Sequence, residues 1–391
     1  MEFNVNGEYL IDSISEAARI AGGSHGDAAG KLVMIEAHSG GLSVSSGSGG
    51  RSVIFEFPFI NGRDSGLDIL EYGKLAADGR MLSEVIRKIP GRLSIKASTS
   101  YKISISSADG QISATIAGFP LEQLPDLAYG EFPYIYTLKA SDLAAGLRNT
   151  ASSAAKTSSR PILEGINLAF DESGLTFTAT DSSRLAMWKA AGSAGFSQSI
   201  TLPARNAAEL LKLIGKSPSG EAAIYISNSQ AAFTTSTFRF CSSLLTGRFP
   251  PSEKLTPEGC KTELVINRKH LLQGVKRTMI FAGEKRSSLV SIQVKDANSI
   301  TISSPMSEMG KEVQELQSIS GETEASAVIN GSYLADALIG TESEYMKIRL
   351  YGTMKPILIS SLGEANYFHL ISPVRTASGM FLGNRQIQKQ D

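Results

Sequence analysis

Short runs in which apolar and polar positions alternate dominate this chain. Ile95, Ala97 and Thr99 alternate with polar or small neighbours, and Ile103 and Ile105 continue the pattern. Ile224 and Ile226, Ile300 and Ile302, and Ile348 and Leu350 repeat it. A period of two puts one face of a strand on a core and the other in water, so these runs predict half-buried strands. Helical stretches are fewer, and three are predicted at about 13–21, 140–155 and 267–282.

Laid on one another, the pieces form a threefold repeat. One unit is strand, tight turn, strand. It reads Leu32-Val-Met-Ile-Glu, Ser39-Gly-Gly, Leu42-Ser-Val-Ser. It returns from Ile166 through the turn at Asp171 to Leu175, and again from Val290 through the turn at Asp296 to Ile300. A short helix follows each time, at Leu82-Ser-Glu84, Ala207-Ala-Glu209 and Leu334-Ala-Asp336. A Phe-Pro corner stands at Phe119-Pro120 and Phe249-Pro250. Matches in one order at one spacing predict three tandem copies of an α+β domain. Proline-bearing connections near 130 and 255 divide them into 1–130, 131–255 and 256–391.

Composition narrows the classes. The chain has 391 residues, of which 42% are apolar, enough for a core in each copy. No apolar run is long enough to span a bilayer, and the start lacks the pattern of a secretory signal. Cys241 and Cys260 are too few for a disulfide scaffold, so they read as reduced thiols of a cytoplasmic protein. Net charge is zero, from 38 basic and 38 acidic side chains, so any nucleic-acid binding must come from segregated charge. The helical stretches supply it. Arg268, Lys269, Lys276, Arg277, Lys285 and Arg286 lie in or beside one; Arg148, Lys156 and Arg160 in another; Arg205, Lys212 and Lys216 in a third; Arg80, Arg87, Lys88 and Arg92 in a fourth. On one helix such charge is an ordinary solvated face. On equivalent helices of three copies it sums to a basic track that grips phosphates without reading bases.

Several segments resemble the bacterial DNA sliding clamp family, the beta subunit of DNA polymerase III. Ser159-Arg160-Pro161-Ile162-Leu163-Glu164-Gly165 and Thr180-Asp181-Ser182-Ser183-Arg184-Leu185-Ala186 are similar to its R-P-x-L-x-G and A-T-D-G-H-R-L-A segments. The opening Met1-Glu-Phe-Asn-Val, Leu245-Thr-Gly-Arg248-Phe249-Pro250, Ile329-Asn330-Gly-Ser-Tyr333-Leu334 and Pro373-Val374-Arg375 extend the likeness over 1–375 in order. The resemblance implies a head-to-tail dimeric ring, with helices lining a central hole and antiparallel sheets outside. It implies a non-enzymatic processivity factor without cofactor or metal. Its partners would be double-stranded DNA, the replicative polymerase, a clamp loader, other proteins with clamp-binding motifs and a second copy of itself, and no membrane.

Carried over residue by residue, a partner-peptide pocket would use Leu163, Thr180, Ser182, Ser183, Arg184, Leu185, Pro250 and Leu255. Its other side would use Asn330, Tyr333, Met354, Pro356, Leu370, Ser372, Pro373, Val374 and Arg375. Small apolar sockets of this kind concentrate binding energy in a few anchors. The DNA-facing residues would be Arg80, Arg87, Arg148, Lys156, Arg160, Arg205, Lys212, Lys276 and Arg277, and the dimer interface Ile112 and Ala114 against Ile280 and Phe281.

The chain departs from the pattern at Ser182-Ser183, where the family has Gly-His, and at Ser372, where it has Met. Loss of one apolar wall side chain would weaken a bound peptide by roughly 1–2 kcal/mol. Ser24-His25-Gly26-Asp27 lacks the basic residue usual there, and the chain runs past Arg375 to Asp391. These departures point to a specialised second copy of the clamp, or a variant with altered partners. Met380-Phe381-Leu382 in the polar tail is a candidate to compete for the pocket.

Two other classes compete with this resemblance. A β-rich hydrolase or nuclease would need a site, and His25, His38, His270 and His369 have no metal-ligand spacing. Gly47-Ser-Gly-Gly50 lacks the Lys-Ser/Thr of a phosphate loop and reads as a hairpin turn. A repeat-built adhesin would need secretion.

Overall fold

The alternating runs fold as antiparallel strands, and the order of elements recurs three times. The structure is a computed structural model that describes residues 1–22, 31–58, 66–124, 130–216, 219–251, 257–281, 288–296, 299–304, 313–317, 326–352, 354–363 and 366–374. The first copy is β1 (Glu2–Asn6), α1 (Gly7–Ala21), β2 (Leu32–His38), β3 (Gly41–Ser48), β4 (Arg51–Pro58), β5 (Asp68–Glu71), β6 (Gly73–Asp78), α2 (Gly79–Lys88), β7 (Arg92–Ala97), β8 (Lys102–Ser107) and β9 (Ser113–Ala117). The second is β10 (Tyr134–Lys139), α3 (Ala140–Ala151), β11 (Gly165–Asp171), β12 (Gly174–Thr180), β13 (Arg184–Ala191), β14 (Gln198–Pro203), α4 (Ala204–Lys216), β15 (Glu221–Ile226), β16 (Gln230–Thr234) and β17 (Phe238–Ser243). The third is β18 (Thr262–Asn267), α5 (Arg268–Phe281), β19 (Leu289–Asp296), β20 (Ser299–Ser303), β21 (Val313–Gln317), β22 (Ser326–Asn330), α6 (Gly331–Ile339), β23 (Tyr345–Leu350), β24 (Ile357–Ser361) and β25 (Tyr367–Ile371). Among the described residues only the first copy has the extra strand β5.

Contacts divide the chain into two compact units. The first holds Met1–Leu147, Gly165–Leu175 and Ala190–Gly247, and the second holds Arg148–Glu164, Thr176–Lys189 and Arg248–Asp391. These bounds cut through the second copy, and strand pairing explains why. In the first unit β17 pairs with β4, so one sheet runs β10-β15-β16-β17-β4-β3-β2-β6 across two copies. A second sheet there runs β5-β1-β7-β8-β9. In the second unit β13 pairs with β25, and the ladder runs β12-β13-β25-β24-β23-β18 beside a sheet β21-β20-β19-β22.

Helices bury one stripe each. Leu10, Ile14, Ala17 and Ile20 of α1 recur at three- and four-residue steps and are buried, as are Leu82 and Ile86 of α2. Burying each large aliphatic side chain contributes roughly 1.5–3 kcal/mol. Helix α1 starts at Gly7, earlier than its apolar pattern predicts, because the Asn6 side chain accepts from Glu8 N at 3.2 Å and caps it. Helix α3 ends at Ala151, short of the expected 155, so Lys156 and Arg160 stand outside any α-helix. Gly49 and Gly50 turn the β3–β4 hairpin, as their sequence predicts.

Two glycines hold the repeated hairpin. Gly41 has φ +139° and Gly174 φ +116°, each opening the hairpin's second strand. A Cβ at Gly41 would lie 2.1 Å from Phe57 O, and at Gly174 2.2 Å from Ala190 O. The third copy has Ser299 at this place and accommodates it with a register shift between Val294 and Asp296. Gly174→Ala is expected to destabilise the protein by about 2 kcal/mol or more, since both backbone angle and carbonyl must move. A denaturant midpoint unchanged from wild type would contradict this.

Candidate functional site

The segment 180–184 is a turn built by its own side chains. Asp181 Oδ1 accepts from Ser183 N at 2.9 Å and Arg184 N at 3.1 Å. The Thr180 hydroxyl donates to Arg184 O at 2.6 Å and accepts from Ser182 N at 3.1 Å. Ser182 is thereby held at φ +76°, a left-handed angle that costs a residue with a Cβ roughly 1 kcal/mol. The serine therefore adds backbone strain at this turn.

The turn launches Arg184 into a closed set of partners. Its Nε donates to Asp181 Oδ2 at 3.0 Å and its Nη1 to Asp336 Oδ2 at 2.6 Å. Its Nη2 donates to Ser152 O, and the guanidinium lies 4.1 Å from the centroid of the Tyr333 ring. Only 9% of the side chain is exposed. Arg184 thus ties strand β13 to helix α6 and packs against Tyr333. Burial, then the Asp181 carboxylate, pushes the Tyr333 phenol up from its usual range.

Beside this tie lies an apolar floor. Leu185 on β13 sits opposite Leu370 on β25, and both pack with buried Tyr351 and Leu358. Met187 and Phe368, each partly buried, complete the cluster. Ser372 N donates to Ser183 O at 2.9 Å, and Val374 N to Val328 O at 2.8 Å, which fixes the strand leaving β25. Asn330 accepts from Ser332 N at 2.9 Å and caps α6. Met354, 55% exposed, and half-buried Pro356 sit on the β23–β24 connection. Pro250 and Pro373 are half-buried. Leu163 is buried in a short 3-10 turn (Pro161–Glu164) whose end accepts from Ala155 N, so it is core. Leu255 and Arg375 lie outside the described residues, as do Ser24–Asp27, Lys285, Arg286 and the tail.

Asp181, Asp336, Tyr351, Leu358, Met187 and Phe368 were not among the sequence candidates. Two of them had a signal: Asp181 stands in the Thr180–Ala186 segment that resembles the family, and Asp336 is the third acid in the series Glu84, Glu209, Asp336 on the repeated helix.

The candidate DNA-facing cations are exposed, and several are already paired. Arg80 Nε is 3.1 Å from Glu84, Lys212 Nζ 3.3 Å from Glu209 and Arg148 Nη1 3.8 Å from Glu342. Arg87, Lys156, Arg160, Arg205, Lys276 and Arg277 are exposed. Arg268 turns inward instead, donating to Ser343 O at 2.8 Å and Leu338 O at 3.0 Å at the end of α6. Of the candidate interface residues, Ile112 stands just before β9, where the ladder begins only at Ser113, and Ala114 lies within it. Ile280 and Phe281 end α5, with Ile280 75% exposed.

One buried histidine sits behind the floor. His369 on β25 has Nε2 3.2 Å from Asn149 O, and its Nδ1 has no partner among the described residues. Burial lowers its pKa to about 4. Among the described residues no group of three or more His, Cys, Asp or Glu could hold a metal.

Two outcomes follow for this region. Arg184→Met should destabilise the second unit by about 2–3 kcal/mol, because Asp181 and Asp336 lose their cation; a melting curve matching wild type would refute that role. His369 titrates lower folded than unfolded, so the folded state binds fewer protons. Its contribution is complete above the unfolded pKa near 6.5 and is lost as pH falls towards 4, by roughly 3 kcal/mol. His369→Gln should flatten stability against pH in that window, and an unchanged slope would contradict the assignment.

The model of the DNA polymerase III beta subunit, central domain, matches residues 137–251, and that of its C-terminal domain matches residues 253–375. Together they cover more than half of the chain. The beta sliding clamp of Bacillus subtilis (strain 168) is 28% identical over 381 residues, covering 96% of this chain and 100% of that protein. The beta sliding clamp of Staphylococcus aureus (strain N315) is 24% identical over 379 residues, with the same coverage. The crystal structure of the DNA polymerase sliding clamp from Bacillus subtilis superposes with a TM-score of 0.90 at 28% identity, over 96% of this chain and 99% of that one. A sliding clamp from Pseudomonas aeruginosa bound to griselimycin shares the fold, with a TM-score of 0.87 at 21% identity, over 96% of this chain and 100% of that one.

Proposed function

The chain belongs to the DNA polymerase III beta subunit family of sliding clamps, and from that premise we propose that it closes with a second copy into a ring around duplex DNA. In that ring it tethers the replicative polymerase and other clamp-binding proteins, and a clamp loader opens it. We place its three copies at 1–130, 131–255 and 256–391.

The way the copies join carries this reading. Each junction inside the chain pairs the last strand of one copy with an earlier strand of the copy before it: β17 with β4, and β25 with β13. The strands left over at this level are β9 of the first copy and β21 of the third, each at the end of its sheet among the described residues. An open edge of this kind invites another strand. Pairing β9 of one copy with β21 of another repeats the same junction twice, in a closed head-to-tail dimer. Ile112, Ala114, Ile280 and Phe281 then sit at the subunit junction.

A closed ring holds DNA by enclosure and needs no base contacts. Arg80, Arg87, Arg148, Lys156, Arg160, Arg205, Lys212, Lys276 and Arg277 supply phosphate contacts, several at the expense of an internal ion pair. Partner peptides seat on the floor of Leu185 and Leu370. The rim there is Thr180, Ser182, Ser183, Pro250, Asn330, Tyr333, Met354, Pro356, Ser372, Pro373 and Val374, with Leu163 and Arg184 as support and Leu255 and Arg375 adjoining. This reading assigns the chain no catalytic step and places it in the cytoplasm. Among the described residues no helix is long and apolar enough to cross a membrane.

Loaded on a nicked circular duplex, the protein should stay bound through gel filtration in high salt, and leave when the circle is cut. Equal release from circle and linear duplex would refute enclosure.

A further inference from the structure

Helices α1 and α4 come from different copies and lie side by side in the first unit, where a line of five charges joins them. Lys212 Nζ is 3.3 Å from Glu209 Oε1, and Arg19 pairs with the other oxygen of Glu209. Arg19 Nε donates to Glu16 Oε2 at 3.0 Å, and Glu16 Oε1 is 2.8 Å from Lys216 Nζ. The line alternates in sign, with a cation at each end and one in the middle. Its carboxylates are the covered members. The Glu16 and Glu209 side chains are 14% and 18% exposed, while those of Lys212 and Lys216 are more than half exposed. Burial would raise the Glu16 pKa, but the bonds from Lys216 and Arg19 outweigh it and hold the carboxyl below its usual range.

Positive charge is in excess here. Arg51 and Arg205 stand nearby, and burial, then the charges of Arg205 and Arg19, lower the Arg51 pKa. The second unit is built differently. Asp336 holds in α6 the sixth place that Glu209 holds in α4, but its carboxylate takes the buried Arg184. The tenth place, Glu16 in α1, is Asn149 in α3.

We infer that Glu16 and Glu209 are positioning residues for sliding: they hold Arg19, Lys212 and Lys216 back from phosphates and keep the grip on enclosed DNA weak. The inference rests on the reading that these helices face DNA inside a ring, and it adds a built-in limit on binding. A ring retains DNA by topology, so each firm phosphate contact adds friction without adding retention. Phosphate and carboxylate oxygens compete for the same charged donors. A carboxylate stripped of its cation would also face the phosphates with like charge.

Fluorescence anisotropy of the full chain on a labelled linear duplex, between about 50 and 200 mM salt, tests this. Glu16→Gln should steepen the salt dependence by one phosphate contact, so that affinity falls about 3-fold further than wild type's across that range. Glu209→Gln, which frees Lys212, should do the same. Combining Glu16→Gln with Lys216→Gln should restore the wild-type slope, although the clasp between the helices is broken in the same way. Glu172→Gln makes an equal change of net charge at the exposed β11–β12 turn and should leave the slope unchanged. Slopes no steeper than wild type's in both single variants, whatever their melting temperatures, make the line a structural clasp only and overturn the inference. An equal steepening in Glu172→Gln, or one that persists in the double variant, overturns it too. Wild-type binding that does not respond to salt overturns the DNA-facing reading and this inference with it.

Discussion

The constraint on which the structure depends is that a strand edge needs a partner. Backbone donors and acceptors along an edge cannot be left unsatisfied in a core, and in water they recruit other strands. This chain meets the constraint by lending strands between copies. Strand β17 completes the sheet of β4, and β25 completes the ladder of β13. Each copy of the fold is therefore unfinished alone. The division of the chain by contacts falls inside the second copy for this reason, since its two sides belong to different neighbours.

The proposed partner site is a by-product of such a seam. The β13–β25 ladder brings Leu185 against Leu370 and makes a floor to which neither strand alone contributes enough apolar area. Arg184 sits at the end of that ladder and closes it with Asp181, Asp336 and Tyr333. In the proposed site, the group that holds the seam also sets the rim. Ser182, at a left-handed angle that glycine would adopt freely, adds strain where peptides are expected to dock.

Much of this was legible in the sequence. Alternation located the strands, and the spacing of Leu82, Ala207 and Leu334 located the repeated helix, because both depend on local periodicity. Helix limits were less legible: Asn6 extends α1 by capping, a side-chain effect that apolar period does not register. Among the pocket candidates, Leu185 and Leu370 meet across the β13–β25 ladder, Leu163 is buried, and Thr180 holds the 180–184 turn. Tyr351 and Leu358 were invisible, since they reach the floor only through the β23–β24–β25 ladder. Arg268 looked like part of a basic track and instead caps α6, a difference that depends on where the side chain turns.

The central claim is that β9 and β21 are each other's partners in two copies of the chain. Ile54 pairs with Arg239 in the first junction. Following the ladders, Val313 holds the place of Ile54 and Ser113 that of Arg239. Antiparallel neighbours alternate between close and wide pairs, so one of Ser113–Val313 and Ile112–Gln314 is close enough for a disulfide. Mild oxidation of the two double-cysteine proteins, Ser113→Cys with Val313→Cys and Ile112→Cys with Gln314→Cys, is the direct measurement. The account predicts a covalent dimer from one of them on a non-reducing gel. Monomer from both, at a concentration where wild type is dimeric, would contradict it.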